Sequence, residues 1–237
     1  AVIKETPSVK SFKFKFNNEF IYQPGQRITM TLDVIDPKTN PRSLSLASSP
    51  TEKGFIMVTT RISDSPFKKK LNSLKIVENV NVRGPFGVFI LQEQFPNKNH
   101  VMLAGGIGIT ALRDMIKYTN DKKLNLKITL LYSSKIPEEI IYRKELDNIA
   151  KINKNFKVVY TITNIEESSM KWSGRLGRIN ENMIRGSIND LDNSVFYVCG
   201  PPSFVDDIVT LLKNIGINDQ FIKTERFPTT WCGGCGL

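Results

Sequence analysis

Histidine and cysteine are scarce in this chain, and their scarcity narrows the chemistry it can perform. The 237 residues contain one histidine, His100, and three cysteines, Cys199, Cys232 and Cys235. Three cysteines cannot build the disulfide framework of a small secreted domain. One histidine leaves few ligands for a Cys/His zinc site, and no Gly-x-Ser-x-Gly motif accompanies it to suggest a serine hydrolase. We therefore expect His100 to be structural.

Long apolar runs, repeats and low-complexity tracts are also missing. No hydrophobic stretch approaches the ~18 residues needed to span a bilayer. The first residues lack the apolar core of a signal peptide, so a cytoplasmic protein without a membrane span is the expectation. With 40% hydrophobic and 24% charged residues, the composition is that of a globular protein of one or two domains.

Acidic residues are outnumbered, with 23 Asp and Glu against 33 Lys and Arg, which gives a net charge of +10. The lysines are scattered, the only dense basic run is Lys68–Lys70, and no nucleic-acid-binding motif is present, so we expect no nucleic acid partner. Two interpretations stay open. The charge either attracts an acidic protein partner or belongs to a solvated lysine-rich surface.

Up to about residue 97 the pattern is that of short strands. Phe12, Phe14 and Phe16 alternate with lysines, which is the period of a half-buried strand. Further short apolar runs are separated by proline and glycine. One helix interrupts them, with Ser65 as N-cap and Pro66 at its first position. This arrangement predicts a small antiparallel β-barrel.

After residue 97 strands and helices alternate. We predict strands at 100–104, 126–132, 156–162, 194–199 and 220–224, with helices near 109–119, 138–150, 180–186 and 203–214. Alternation of this kind is typical of a doubly wound α/β domain with a parallel sheet. The expected organisation is therefore two domains, residues 1–97 and 98–237, with ligands at the carboxyl ends of the second domain's strands.

A glycine turn at such a strand end is the first candidate site. Gly106, Gly108 and Ala111 fit G-x-G-x-x-G/A, the spacing that lets a backbone approach a pyrophosphate at a helix N-terminus. The next strand ends in Ser133, Ser134 and Lys135, without the acidic residue that usually holds an NAD ribose. These hydroxyls and this cation could instead accept a 2′-phosphate.

Three further signals are weak when each is taken alone. Arg42 and Ser45 place a cation and a hydroxyl at a strand end, which suits a phosphate but also an edge strand. Cys199 precedes a Gly-Pro turn, where a free cysteine is usually a small core residue. Glu225 closes the last predicted strand.

Taken in order, these motifs resemble the ferredoxin–NADP reductase superfamily over essentially the whole chain. The order is Arg42-x-x-Ser45, Gly84-Pro-Phe-Gly87, the loop "GGIGIT", the turn "CGPP" and a C-terminal acid. The resemblance implies a flavin-binding barrel followed by an NAD(P)-binding domain. FAD is the expected flavin, with FMN the less favoured choice, and the reductant is NADPH or NADH.

The resemblance also assigns roles to residues of this chain. Arg42 would meet a flavin phosphate, Ser45 would lie near the reactive edge of the ring, and Glu225 would lie near the site of hydride transfer. The residues implied in flavin binding are Arg42, Ser43, Leu44, Ser45, Thr59, Thr60, Pro66, Phe67 and Lys68. Those implied in nicotinamide dinucleotide binding are Gly105, Gly106, Gly108, Ile109, Thr110, Ser133, Lys135, Cys199, Gly200 and Pro201. The catalytic set is Ser45, Cys199 and Glu225.

Two features depart from the family pattern. Leu44 stands where an aromatic residue normally stacks on the flavin. An aliphatic residue also stands there in electron-transfer subunits of dihydroorotate dehydrogenase and of some hydrogenases. Those subunits bind a [2Fe–2S] cluster through C-terminal cysteines, but Cys232 and Cys235 supply only two of about four thiolates. The pair could be half of a metal site shared with another chain, a redox tail, a truncated cluster motif or an inert end.

The function expected from this resemblance is electron transfer. The chain would pass a hydride from NAD(P)H to its flavin, and then single electrons to an acidic ferredoxin or another iron–sulfur protein. The alternative is a docking and electron-relay subunit of a larger redox complex, inactive alone and attached through Cys232 and Cys235. A homodimer is left open.

Overall fold

The computed structural model describes residues 1–16, 20–35 and 40–227, and these ranges hold twelve strands and five α-helices. The strands are β1 (Val2–Lys4), β2 (Val9–Lys15), β3 (Arg27–Thr31), β4 (Arg42–Ser45), β5 (Phe55–Arg61), β6 (Asn81–Phe86), β7 (Asn99–Gly105), β8 (Lys127–Ser134), β9 (Phe156–Ile162), β10 (Arg175–Leu176), β11 (Ser194–Gly200) and β12 (Ile222–Arg226). The helices are α1 (Pro66–Ser73), α2 (Ile109–Asp121), α3 (Arg143–Ile152), α4 (Glu181–Arg185) and α5 (Pro202–Asn214). None of the helices in these ranges is long and apolar enough to cross a membrane.

The N-terminal region is built from two antiparallel three-stranded sheets, in the orders β1-β2-β5 and β4-β3-β6. Phe12, Ile28, Met30 and Val58 point between the sheets and are buried, because alternate residues of each strand face inward. Helix α1 packs Phe67 against the same core. The predicted antiparallel barrel is confirmed.

The C-terminal region is a six-stranded parallel sheet in the order β10-β9-β8-β7-β11-β12. Helices α2 and α3 cover one face, and α4 and α5 cover the other. Strand β11 shows the consequence for side chains, since Tyr197 and Cys199 face the α2 side while Phe196 and Val198 face the α5 side. The predicted doubly wound α/β fold is confirmed, and it brings the carboxyl ends of β7, β8 and β11 to one edge.

The predicted start of the second helix at residue 138 is wrong. Pro137–Glu139 forms a single 3₁₀ turn, and α3 begins only at Arg143. Between them Ile141 is buried in the core, and Tyr142 adopts a left-handed φ of 58° through which a right-handed helix cannot run. The acidic side chains that predicted a helix start make other contacts instead. Glu139 accepts hydrogen bonds from three residues of the barrel.

His100 has a structural role at the base of the parallel sheet. Its ring is buried and stacks on Tyr197, whose hydroxyl lies 3.1 Å from His100 Nδ1. His100 Nε2 lies 3.2 Å from the carbonyl oxygen of Phe95, so Nε2 carries the proton and Nδ1 accepts from the tyrosine. Burial lowers the pKa of His100 below its usual value, which keeps the ring neutral.

The barrel packs on the α2 face of the sheet through a close backbone contact at Gly25. This glycine has a φ of +99°, and a Cβ added to it would lie 2.2 Å from the carbonyl oxygen of Phe89 and 2.3 Å from Met115 Cε. Met115 belongs to α2, so the contact joins the two regions. Glycine at this position is therefore required by the backbone conformation and by the lack of space.

We expect Gly25→Ala to destabilise the protein more than Gly54→Ala does. Gly54 also has a positive φ, of +83°, but nothing lies within 4 Å of an added Cβ. The control should therefore cost only the about 1–2 kcal/mol of left-handed backbone strain. Gly25→Ala should cost about 1–3 kcal/mol more because of overpacking. Urea unfolding of both variants measures the difference, and equal losses would contradict the close contact.

Candidate active site

Two cations lie together where α1 meets the barrel. Lys68 is 6% exposed although lysine is almost never buried without a partner. The Arg42 guanidinium lies over the Phe67 ring at 5.9 Å from its centroid. Lys68 Nζ donates a hydrogen bond to Thr60 Oγ1, and Lys68 forms no ion pair with any residue of the described ranges. The charge and position of these two side chains fit an anionic ligand.

The pKa of Lys68 reflects its buried position beside a second cation. Burial, and then the nearby Arg42 charge, lower this pKa to about 7. Helix α1 begins beside these cations, with Ser65 Oγ accepting from Lys68 N–H at 3.4 Å and no acidic residue in the first turn. A helix N-terminus and a buried lysine beside a second cation fit a diphosphate group.

The other residues expected around the flavin are divided between the two faces of their strands. Thr60 lies beside Lys68, but Thr59 lies on the opposite face of β5, hydrogen-bonded to Ser11 and Tyr142. On β4, Leu44 packs against the barrel core and Ser43 is exposed. The structure therefore brings Arg42, Leu44, Thr60, Phe67 and Lys68 together and does not bring Thr59 to them. Pro66 is exposed at the first position of α1.

Ser45 supplies an unsatisfied polar atom at the end of β4. Its Oγ is buried and has no hydrogen-bond partner within the described residues. A buried hydroxyl without a partner costs free energy unless a ligand completes it. The orphaned Ser45 Oγ and the Arg42–Lys68 pair together fit a flavin carrying a diphosphate, which is what FAD would present.

The glycine turn joins β7 to α2 through one 3₁₀ turn, Gly106–Gly108. Gly106 has a φ of +52°, and an added Cβ there would meet nothing within 4 Å, so its backbone faces open space. Tyr132 OH donates to Gly106 O at 3.0 Å, and Thr110 Oγ1 donates to Ile107 O at 3.0 Å. These bonds fix the turn from inside, and Thr110 and Ile109 are both buried.

Three other glycines allow the sheet ends to pack closely. A Cβ on Gly108 would lie 2.1 Å from the carbonyl oxygen of Cys199, and a Cβ on Gly105 would lie 2.7 Å from the Phe204 ring. Gly200 meets the same ring at 2.8 Å. The requirement for glycine at these positions comes from the protein's own packing, whereas Gly106 is the position open to a ligand.

The expected catalytic residues meet where the barrel touches the sheet. Cys199 and Glu225 are register partners on β11 and β12, and Arg27 and Ser45 are register partners on β3 and β4. Arg27 Nη1 lies 3.8 Å from Glu225 Oε1, which joins the two pairs across the domain boundary. Residues from four strands and both regions therefore converge on one place.

The protonation states at this junction follow from burial. Burial raises the pKa of the Glu225 carboxyl above its usual value, and the Arg27 charge opposes that shift. Burial, assisted by the Glu225 charge, raises the pKa of the Cys199 thiol well above its usual value. Cys199 is completely buried. It is therefore a neutral thiol in a packed wall and has none of the features of an activated nucleophile.

The end of β8 forms the outer part of the edge. Ser133 is buried there, Lys135 is exposed, and Lys135 O accepts from Asn164 N–H at 2.9 Å. Pro201 caps α5 next to Gly200, whose carbonyl oxygen accepts from Phe227 N–H at 2.8 Å. All of these expected nucleotide-binding positions lie at carboxyl ends of the parallel strands.

Arg27 is the main site residue that the sequence analysis missed. A single arginine at the start of a strand carries no motif, and its partner Glu225 lies 198 residues later. In the structure Gly87 makes room for this side chain, since its φ is +99° and an added Cβ would lie 3.2 Å from Arg27 Nη1.

Two family models match the chain and together cover both regions. Residues 2–90 match an oxidoreductase FAD-binding domain, and residues 102–210 match an oxidoreductase NAD-binding domain. The chain belongs to the ferredoxin–NADP reductase superfamily. The resemblance seen in the sequence is thereby confirmed.

Relatives of this reductase chain are parts of larger systems. The glycine betaine monooxygenase reductase subunit of Chromohalobacter salexigens is 28% identical over 233 residues, covering 97% of the chain and 63% of the relative. One subunit of the Na⁺-translocating NADH-quinone reductase of Idiomarina loihiensis is 28% identical over 200 residues, covering 78% of the chain and 48% of the relative. The chain thus spans less than two thirds of either relative.

Solved structures share the reductase fold at lower sequence identity. Amycolatopsis cytochrome P450 reductase GcoB superposes with a TM-score of 0.81 at 17% identity, covering 96% of this chain and 68% of that one. A ferredoxin NADP⁺ reductase from Neisseria gonorrhoeae with bound FAD and NADP superposes with a TM-score of 0.76 at 21% identity, covering 95% of each chain. The expected metal ligands Cys232 and Cys235 lie outside the described residues, so a shared iron–sulfur cluster stays a prediction.

We expect Lys68→Met to weaken FAD binding to the flavin-free reductase and to remove its pH dependence near neutrality. The Lys68 ammonium is charged below a pKa of about 7 and becomes neutral above it, so wild-type affinity should fall as the pH rises from 6 to 8. Loss of one charge-assisted contact should weaken binding at pH 6 by about tenfold or more.

Lys69→Met is the matched control, because Lys69 is exposed on the same helix and pairs with Asp64. Fluorescence titration with FAD at each pH gives the affinities. A Lys68→Met protein with wild-type affinity at pH 6 would exclude the anion site.

Proposed function

We propose that the chain transfers a hydride from NADPH or NADH to bound FAD and passes the electrons singly to an iron–sulfur acceptor. The observation that carries this proposal is the convergence of Ser45 and Arg27 from the barrel with Cys199 and Glu225 from the sheet. A hydride donor held by the sheet and an acceptor held by the barrel would meet there. The proposed domain boundary lies near residue 97.

The proposed role of the residues of the chain is to bind and orient the flavin and the nucleotide. FAD, when bound, would supply the redox chemistry by accepting a hydride and releasing single electrons. Arg42 and Lys68 hold the diphosphate, and Ser45 Oγ is available to hydrogen-bond the ring system. Cys199 and Glu225 form the wall against which the nicotinamide would lie. No general base is needed, which suits a chain whose single histidine is structural.

The glycine turn is proposed to bind the pyrophosphate of the nicotinamide dinucleotide through its backbone, at the N-terminus of α2. Ser133 and Lys135, at the end of β8, are proposed to face the adenosine ribose. The lack of an acidic residue at this strand end and the exposed Lys135 favour a 2′-phosphate.

The proposed acceptor is an acidic iron–sulfur protein or domain. A net charge of +10 would attract such a partner, and the named relatives are reductase subunits that work with further components. Because the reaction draws on NAD(P)H, we place it in the cytoplasm. The alternative, a relay subunit attached through Cys232 and Cys235, is favoured by the subunit nature of these relatives.

Anaerobic absorbance spectroscopy of the purified chain tests the proposed function. We expect a yellow, two-banded flavin spectrum that bleaches on addition of the nucleotide the chain uses, with NADH and NADPH compared directly. A colourless protein that takes up no added FAD would contradict the proposal. A flavin-loaded chain that is not reduced until a partner protein is added would favour the relay subunit.

We expect electron transfer to an acidic iron–sulfur acceptor to slow as salt is added. Long-range attraction between the net charge of +10 and an acidic partner is screened over a Debye length of about 10 Å at 0.1 M salt. A neutral dye serves as the control acceptor, with acceptor reduction followed between 20 and 300 mM NaCl. A rate to the acidic protein that ignores salt would rule out electrostatic docking.

A further inference from the structure

We propose that Arg113 and Asp114, adjacent residues of α2, are positioning residues that set the placement of the flavin-binding strands against the glycine turn. This inference rests on the proposed function, because the placement matters through the distance over which a hydride moves. Both side chains are buried, and each bonds to the barrel from the helix that follows the glycine turn.

Arg113 uses all of its N–H donors. Its Nη1 donates to the carbonyl oxygen of Ala47 at 2.7 Å and to Glu52 Oε2 at 2.5 Å, and Nη2 donates to Glu52 Oε1 at 3.3 Å. Its Nε and Nη2 donate to the two carboxylate oxygens of Glu145 at 3.0 and 2.7 Å. A guanidinium has five such donors in one plane, so the bonds fix its orientation.

The partners of Arg113 come from different regions. Ala47 and Glu52 belong to the barrel, while Glu145 belongs to α3 of the sheet domain. The Arg113 guanidinium therefore bonds to the barrel on one side. On the other side it is held by Glu145 of its own domain. The Arg113 charge and hydrogen bond lower the pKa of Glu52, and the Glu52 and Glu145 carboxylates raise the pKa of Arg113.

Asp114 makes the second bond to the barrel. Its Oδ2 accepts from Gly25 N–H at 2.7 Å, and Oδ1 has no partner within the described residues. This contact lies beside the close approach of Gly25 to Met115, so backbone and side chain are both fixed there.

The two contacts reach the strands that carry the site. Ala47 follows Ser45 by two residues, and Gly25 precedes Arg27 by two residues. Arg113 lies four residues after Ile109, the first residue of α2, which is a rise of about 6 Å along the helix. A shift of α2 against β3 and β4 would therefore change the separation between the glycine turn and the Ser45–Arg27 pair.

One further polar contact reaches β3, since Arg27 lies 3.8 Å from Glu225, and the remaining contacts of this kind lie away from β3 and β4. Thr6, Ser8 and Arg61 meet Glu139 on the margin, and Thr51 meets Asp121 at the far end of α2. They help to join the domains, whereas Arg113 and Asp114 bond to Ala47 and Gly25, which flank β4 and β3, at 2.7 Å, a shorter contact than the Arg27–Glu225 pair.

Glu52→Gln and Glu145→Gln form a matched pair of variants. Each variant replaces one carboxylate partner of the Arg113 guanidinium by a neutral amide that keeps one oxygen. Only Glu52 belongs to the barrel. In stopped-flow reduction at saturating NAD(P)H, Glu52→Gln should be about tenfold slower and Glu145→Gln slower by less than about twofold, since misplacement of reacting groups is costly.

The FAD content and the dissociation constant of the nucleotide should stay at the wild-type values in both variants. Equal rate losses that follow equal losses of melting temperature would overturn the positioning role and leave a structural one. A wild-type chain that NAD(P)H does not reduce would instead overturn the proposed function.

Hydrogen exchange of the flavin-free protein tests the contacts without activity. We expect Asp114→Leu to speed exchange of the Gly25 amide by about tenfold or more, because it loses its acceptor, while Asp114→Asn keeps an oxygen there and stays within about threefold of wild type. Glu52→Gln, a milder change, should speed exchange in residues 46–52 and leave residues 9–15 unchanged. Unaltered exchange at Gly25 in Asp114→Leu, or in residues 46–52 in Glu52→Gln, would overturn the proposal.

Discussion

The arrangement of this reductase depends on one buried guanidinium. The Arg113 side chain is only 7% exposed, and a charge taken out of water is tolerated only when its hydrogen bonds are complete. The bonds are completed by groups from the barrel and by a carboxylate of the sheet domain. Because losing one partner of a buried pair costs about 3–5 kcal/mol, any sliding of one domain against the other carries a steep penalty.

Lys68 shows the opposite outcome of the same physics. Both cations are buried, yet the pKa of Arg113 is raised while that of Lys68 falls to about 7. The difference is that carboxylates surround Arg113, whereas Lys68 has the positive charge of Arg42 nearby. The fold thus satisfies the buried charge of Arg113 internally, whereas Lys68 belongs to the proposed diphosphate site.

The glycines of the "GGIGIT" turn divide in the same way. Gly105 and Gly108 are needed because β7 and the turn press against Phe204 and the backbone of Cys199. Gly106 faces open space. A motif that sequence analysis treats as one ligand-binding feature is therefore mostly a packing device, which lets α2 begin close to β11 and so places its N-terminus at the sheet edge.

The sequence by itself determined the order and type of nearly all elements. Period-two alternation and the strand–helix rhythm are local properties of the chain, and they predicted the barrel, the parallel sheet and the position of the glycine turn at a strand end. The resemblance supplied the family and the expected roles of Arg42 and Glu225. The predicted start of α3 was wrong, because acidic side chains such as Glu138 and Glu139 suit contacts with distant residues as well as a helix N-terminus.

Only the tertiary structure decided which charges meet. The Arg27–Glu225 pair, the burial of Lys68 beside Arg42, the bond from Tyr142 to Thr59 and the links from Arg113 to both domains join residues distant in sequence. No local pattern encodes such contacts, since they arise only when elements that are distant along the chain pack together. The chemistry of the candidate site therefore depends on packing, while the elements that carry it follow from the sequence.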